Sequence, residues 1–178
     1  LISKPVQEYK GPVEKPIAGP IVKEVFGPSA ESVRILFRSA PSGTREALLA
    51  DLLRSILSNG KAGLIDLNLN KQQKVLGAGA ALWQFKDNGI FFLLASPKQG
   101  QTLEEVKELL LTQIDILKKG DFDESLIKAI VSNYKLGELQ ALENNTSRAG
   151  NIADEFIKNR GTEWNRNVAA IDEMSKVT

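Results

Sequence analysis

An α+β fold, with a mainly antiparallel sheet of about four to six strands carrying its helices on one face, is predicted by three stretches of this 178-residue sequence. The first is the alternation of Val33, Ile35 and Phe37 with Arg34, Leu36 and Arg38, the period-two pattern of a half-buried strand. The second is a pair of strand-like runs, 72–85 and 90–95, joined at Lys86-Asp87-Asn88-Gly89. An Asn-Gly step there signals a hairpin turn whose positive backbone angles match strand twist. The third is the series of helical periodicities that begins at Thr102 and runs toward the end of the chain.

Taken in order, residues 1–32 hold Pro5, Pro12, Pro16, Pro20 and Pro28, with Gly11, Gly19 and Gly27 between them. Proline fixes one backbone angle and lacks a donor, so this composition predicts an extended interdomain tether, with 21–26 as a candidate edge strand. Residues 33–178 are then the folded domain. After the first strand, a helix is expected from near Ser42. Leu48, Leu49, Leu52, Leu53, Ile56 and Leu57 make its wide apolar face, with Leu53 and Ile56 as core positions. Its polar residues Arg45, Glu46, Asp51 and Arg54 have no metal-ligand spacing and read as a solvated face. Ser58-Asn59-Gly60 supplies the helix end, because Gly takes the left-handed conformation without side-chain cost. A short unit, Gly63-Leu64-Ile65-Asp66-Leu67, leads to the hairpin.

Thr102 and Glu105 form a capping box, and Leu103, Val106, Leu110, Ile114 and Leu117 keep helical spacing. Lys118-Lys119-Gly120 ends that helix with cations on its dipole and a Gly stop. Asp121 or Asp123 is positioned to cap a helix carrying Ile127, Ile130, Tyr134, Leu139 and Leu142, which closes at Asn144-Asn145. Ile152, Phe156 and Ile157 predict a further helix, and Trp164, Val168 and Ile171 another after a Thr162 cap.

Composition excludes several function classes. The 23 basic residues are interspersed with 22 acidic ones, so no basic stripe awaits nucleic acid. Cys is absent, which removes disulfides, thiolate metal sites and a Cys nucleophile while leaving the compartment open. No apolar run approaches the roughly 20 residues of a membrane span. The sequence starts at Leu1 and its single Met is Met174, which reads as a piece of a longer, exported parent. Gly77-Ala78-Gly79-Ala80-Ala81-Leu82 lacks the third Gly and the following helix of a dinucleotide site. Asn59-Gly60-Lys61 lacks the remainder of a phosphate loop. The glycosylation pattern at Asn144-Asn145-Thr146-Ser147 is better read as capping. Glu104-Glu105 and Asp123-Glu124 suit helix starts, and Ser42 and Thr44 have no His or Lys to activate them.

The order from 31 to 178, an Ile-Leu-Ser-Asn-Gly helix end, Gly-Leu, hairpin, Leu-rich helix and Lys-Lys-Gly stop, resembles one domain of the pitrilysin/insulinase family of zinc peptidases. The resemblance implies the mitochondrial-processing-peptidase-like α+β domain. In the family's catalytic domain an H-x-x-E-H helix supplies two zinc-ligand histidines and the catalytic Glu. This sequence contains no His, so the resemblance implies a non-catalytic domain, the second, with no catalytic or metal residues of its own. Zinc is expected in the catalytic domain of the parent, a zinc metallopeptidase. The implied partners are that homologous catalytic domain, in the same chain or in a partner subunit, and peptide substrates enclosed between them. The alternative is an inactive homologue serving as a binding or assembly subunit. Many members also carry an Arg and a Tyr around the first hairpin strand that hold substrate near the metal. Residues 68–70 and 75–77 contain neither. The peptide-binding expectation therefore rests on Gly77, Ala78, Gly79 and Ala80, whose small side chains let a foreign backbone approach the strand.

Overall fold

The alternating run after the Pro-rich segment forms β1 (Val33–Ser39), and the next apolar run forms α1 (Arg45–Leu57). The computed structural model describes residues 15–159 together with Ile171, Glu173, Met174 and Lys176. Helix α1 begins three residues later than Ser42, because Thr44 is the residue that caps it: its hydroxyl oxygen accepts from Ala47 N–H at 3.1 Å. A π-helical segment, Asp66–Asn70, precedes the hairpin of β2 (Gly77–Gln84) and β3 (Gly89–Ser96). Helices α2 (Leu103–Lys119), α3 (Ser125–Glu143) and α4 (Asn145–Asn159) follow.

Among the described residues the sheet has three strands in the order β1-β3-β2, both pairings antiparallel, where four to six strands were expected. The edge strand expected at 21–26 does not form. That stretch runs unpaired, and Ile21, Val22, Val25 and Phe26 lie exposed. Residues 72–76 do not belong to β2 either. Lys71 N–H reaches back to Asp66 O and Lys74 N–H to Leu69 O, both at 2.8 Å, and these wide turns use the backbone groups a strand would need. Gln73 completes the reversal with a positive φ of 51°.

The hairpin turn also differs from its sequence signal, since neither Asn88 nor Gly89 takes a positive φ. Gly89 is required for space. A Cβ there would lie 2.8 Å from Ala40 O and 3.1 Å from Ser39 Cβ, because β1 ends against it.

Helices α1 and α2 cover one face of the sheet, and α3 packs on α1. The core between them joins Leu52, Ile56 and Leu57 of α1 to Leu93 and Ala95 of β3, Val106 and Leu110 of α2, and Ile130 of α3. Leu69 and Val75 anchor the two ends of the wide turn in that core. Leu53, expected inside, is 42% exposed. The inward stripe of α1 runs through Leu52 and Ile56, and a residue one position on is turned about 100° around the helix. Leu48 turns instead to a smaller cluster with Val131, Ile171 and Met174.

The capping box at Thr102 and Glu105 forms in full, and Gly120 ends α2 at φ 67°. Asp123 Oδ1 accepts from Ser125 N–H, and Asn144 Oδ1 accepts from Ser147 N–H, so both loops are closed by the side chains expected to cap there. Ile152, Phe156 and Ile157 lie on α4, all exposed. The helix expected around Trp164 and Val168 after Thr162 falls outside the described residues, apart from Ile171, which is helical and buried.

Candidate functional site

The four small residues Gly77, Ala78, Gly79 and Ala80 open β2, an edge strand of the described sheet. They differ in surroundings. Ala78 and Ala80 lie opposite Ala95 and Leu93 and pack against the core, so their size is set by what lies over the sheet. A Cβ at Gly77 would meet nothing within 4 Å, and one at Gly79 only Ser58 Oγ at 3.7 Å. Helix packing does not demand these two glycines.

The hydrogen bonding of Ala78 fixes which way the strand presents its backbone. The carboxamide of Asn70 accepts from Ala78 N–H and donates to Ala78 O, each at 2.8 Å. A strand residue directs both groups to one side, so Ala78 faces away from β3, and by period two so do Ala80, Leu82 and Gln84. Among the described residues nothing outside the ladder hydrogen-bonds the main chain of Ala80 or Leu82. At the start of the strand Leu76 N–H donates to Ser96 O at 3.0 Å although Gly77 is the register partner of Ser96. Two residues thus oppose one, a bulge of the kind that bends an edge. At the far end Gln84 Nε2 donates to Ala47 O on α1, and Ser42 N–H donates to Phe85 O. Ser42 Oγ is shut off from solvent and has no hydrogen-bond partner among the described residues.

Asn70 is held in place by the segment before it. Asp66 receives N–H groups of Asn59 and Gly60 at 2.8 Å and of Gly63 at 3.2 Å, with Ser58 Oγ at 3.2 Å. The carboxylate thereby satisfies the loop that leaves α1 and ties it to the π-helical segment. Gly60, at φ 80°, provides the left-handed step expected of it. Neither role of the side chains, Asp66 as loop anchor or Asn70 as strand cap, was legible in the sequence; a polar residue flanking a Gly-rich edge strand is the one signal that points toward the second.

Asp51 and Arg54 correct the expectation of a solvated face on α1. Arg54 Nε donates to Asp51 Oδ1 at 2.8 Å, while Tyr134 of α3 donates to Asp51 Oδ2 at 2.7 Å and accepts from Arg54 Nη2 at 2.8 Å. Ser55 Oγ joins at 2.8 Å from the phenol oxygen. Burial, then the Asp51 charge, push the Tyr134 phenol above its usual range. Burial pulls Arg54 downward, but hydrogen bonding to and attraction by Asp51 outweigh it and hold the guanidinium firmly charged. With every polar tip engaged, the network reads as a clasp between helices. Arg45 and Glu46 do remain exposed.

His and Cys are absent from the sequence, and among the described residues no group of three or more Asp or Glu could hold an ion, so the donor set does not fit a catalytic zinc. No described helix is long and apolar enough to cross a membrane.

Among the described residues, an antiparallel sheet with helices on one face and an edge strand open along half its length define an α+β domain. The sequence pattern of the peptidase M16 inactive domain matches residues 3–134, and the chain belongs to that family. It is 22% identical over 172 residues to the zinc protease PqqE of Helicobacter pylori, covering 89% of this chain and 39% of that protein. A crystal structure of a protease from Helicobacter pylori superposes with a TM-score of 0.69 at 20% identity, over 81% of this chain and 37% of the other. The inactive peptidase domain from Bordetella parapertussis gives a TM-score of 0.67 at 12% identity, over 84% of this chain and 81% of that one. The chain therefore spans less than half the length of the Helicobacter proteins and most of the length of the Bordetella domain.

Proposed function

We propose that this domain helps to enclose peptide substrates and positions them opposite a homologous catalytic domain that carries the zinc, in the same parent chain or in a partner subunit. The observation that carries the reading is the outward-facing main chain of Ala80 and Leu82 beside Gly79, unpaired among the described residues. Strand addition draws its energy from main-chain hydrogen bonds, so such an edge takes many sequences. Each bond contributes only about 0.5–1.5 kcal/mol net, so the edge orients a confined peptide without retaining its products. Zinc, bound by the catalytic domain, supplies the activated water. This domain supplies position.

The test is kinetic. Ala78 and Ala80 are unsuitable probes because they pack on the core, whereas Gly79→Val introduces bulk where there is room. In the parent enzyme it should raise KM for long peptides several-fold and leave short ones, which cannot span from zinc to this strand, unaffected. Equal effects on both lengths would remove docking at β2. A parent lacking an intact H-x-x-E-H helix would instead favour the alternative role, an inactive binding or assembly subunit.

A further inference from the structure

We infer that Asn70 is the stop that sets the register of peptide pairing on β2, so that an incoming strand pairs from Ala80 to Gln84 and no further. The inference rests on the docking reading above and specifies the peptide that the edge takes. A carboxamide has the donor and acceptor of a peptide unit, and the Asn70 side chain satisfies Ala78 N–H and O together, at 2.8 Å each, as a neighbouring strand would. The position next to β2 at Ala78 is therefore already filled by the protein itself. A visiting strand would have to displace two well-formed hydrogen bonds to make the same two, with no gain from the exchange.

Beyond Asn70 nothing among the described residues pairs with the edge. Ala80, Leu82 and Gln84 share the outward orientation of Ala78, and the strand ends at Gln84, whose side chain is bound to the first turns of α1. The ligand class is thus a short extended segment of about five residues, recognised through its main chain, with its end or a turn at Asn70. The bulge at Leu76 and Gly77 bends the edge away just before this stop and leaves no straight path for a longer partner. Asn70 itself is held firmly, because it closes the π-helical segment whose first residue, Asp66, is pinned by four donors.

The experiment uses the 15N-labelled chain and blocked, alternating Thr-Gln peptides of three, five, seven and nine residues at millimolar concentration. In the wild type, amide shifts should appear at Ala80, Leu82 and Gln84 and spare Ala78, and apparent affinity should level off at about five residues. In Asn70→Ala, Ala78 should join the responding amides and the plateau should move to about seven residues. Without peptide, Ala78 should exchange its amide proton at least tenfold more slowly than Ala80 in the wild type, and that protection should vanish in N70A. Peptide shifts at Ala78 in the wild type, or an unchanged plateau in N70A, would overturn the register while leaving docking standing. No response at any β2 amide in either protein would overturn docking and the register with it. If N70A fails to fold, the wild-type pattern at Ala78 and Ala80 decides alone.

Discussion

Leu53 and Ile56 are three positions apart on the same helix, equally apolar in sequence, and the protein treats them oppositely: Ile56 is 3% exposed and Leu53 42%. Periodicity gives a stripe its width but not its centre. The centre of α1 is set by what lies above and below it, sheet on one side and α3 on the other, and neither can be read from residues 45–57. Truncation should separate the two. Ile56→Ala should cost about 2–5 kcal/mol through lost burial and a residual cavity. Leu53→Ala should cost less than about 1 kcal/mol, as for a surface position. Urea denaturation of both variants measures the difference, and a loss at Leu53 equal to that at Ile56 would mean that α1 is rotated from the orientation described. Tyr134 offers the complementary lesson, since its ring fell on the apolar side of a helical pattern while its hydroxyl gathers Asp51, Arg54 and Ser55.

At the scale of elements, what was legible in the sequence was what local chemistry decides. The Thr102–Glu105 box, the Lys-Lys-Gly stop and the two hairpin strands all depend on residues within a few positions of one another. Glu105 is held below the usual carboxylate range by the backbone and hydroxyl of Thr102. The segment 58–76 was not legible, because its order comes from a carboxylate collecting backbone donors three to seven residues upstream and from turns that reach back five residues. Its glycines are the exception that composition does flag. Gly63 sits where a Cβ would lie 2.6 Å from Leu57 O and 2.8 Å from Asp66 Oδ2. The obstacle is backbone, which cannot swing aside. Gly63→Ala should therefore destabilise the fold by about 1–3 kcal/mol, in the range of overpacked sites. It should also weaken the Asn70 hold on Ala78, which amide exchange at Ala78 would register. A Gly63→Ala protein of unchanged stability would show that the loop between α1 and the π-helical segment is loose enough to yield.

On the scale of the whole molecule, α3 lies outside the sheet layer and is joined to it by two kinds of contact: Ile130 and Val131 in the apolar clusters, and Tyr134 clasped to Asp51 and Arg54 across about eighty residues of chain. Removing the phenol oxygen leaves half-buried charged groups short of a partner. Tyr134→Phe should accordingly cost about 1–3 kcal/mol at neutral pH. Its pH dependence identifies the cause. Burial and the Asp51 carboxylate raise the phenol above the ordinary tyrosine value of about 10, so the folded protein holds that proton more tightly than the unfolded chain does. A raised folded-state value contributes stability that is complete below about pH 10 and is lost as pH climbs through the higher folded value. The stability gap between wild type and Y134F should thus stay constant from neutral pH to about pH 9 and narrow beyond pH 10, while lysines titrate alike in both proteins and cancel in the difference. Paired urea titrations at stepped pH measure this directly. A gap that persists unchanged to pH 11.5 would assign the Tyr134 contribution to ring packing, and the hydroxyl clasp between α1 and α3 would then carry little of the hold on the outer helix layer.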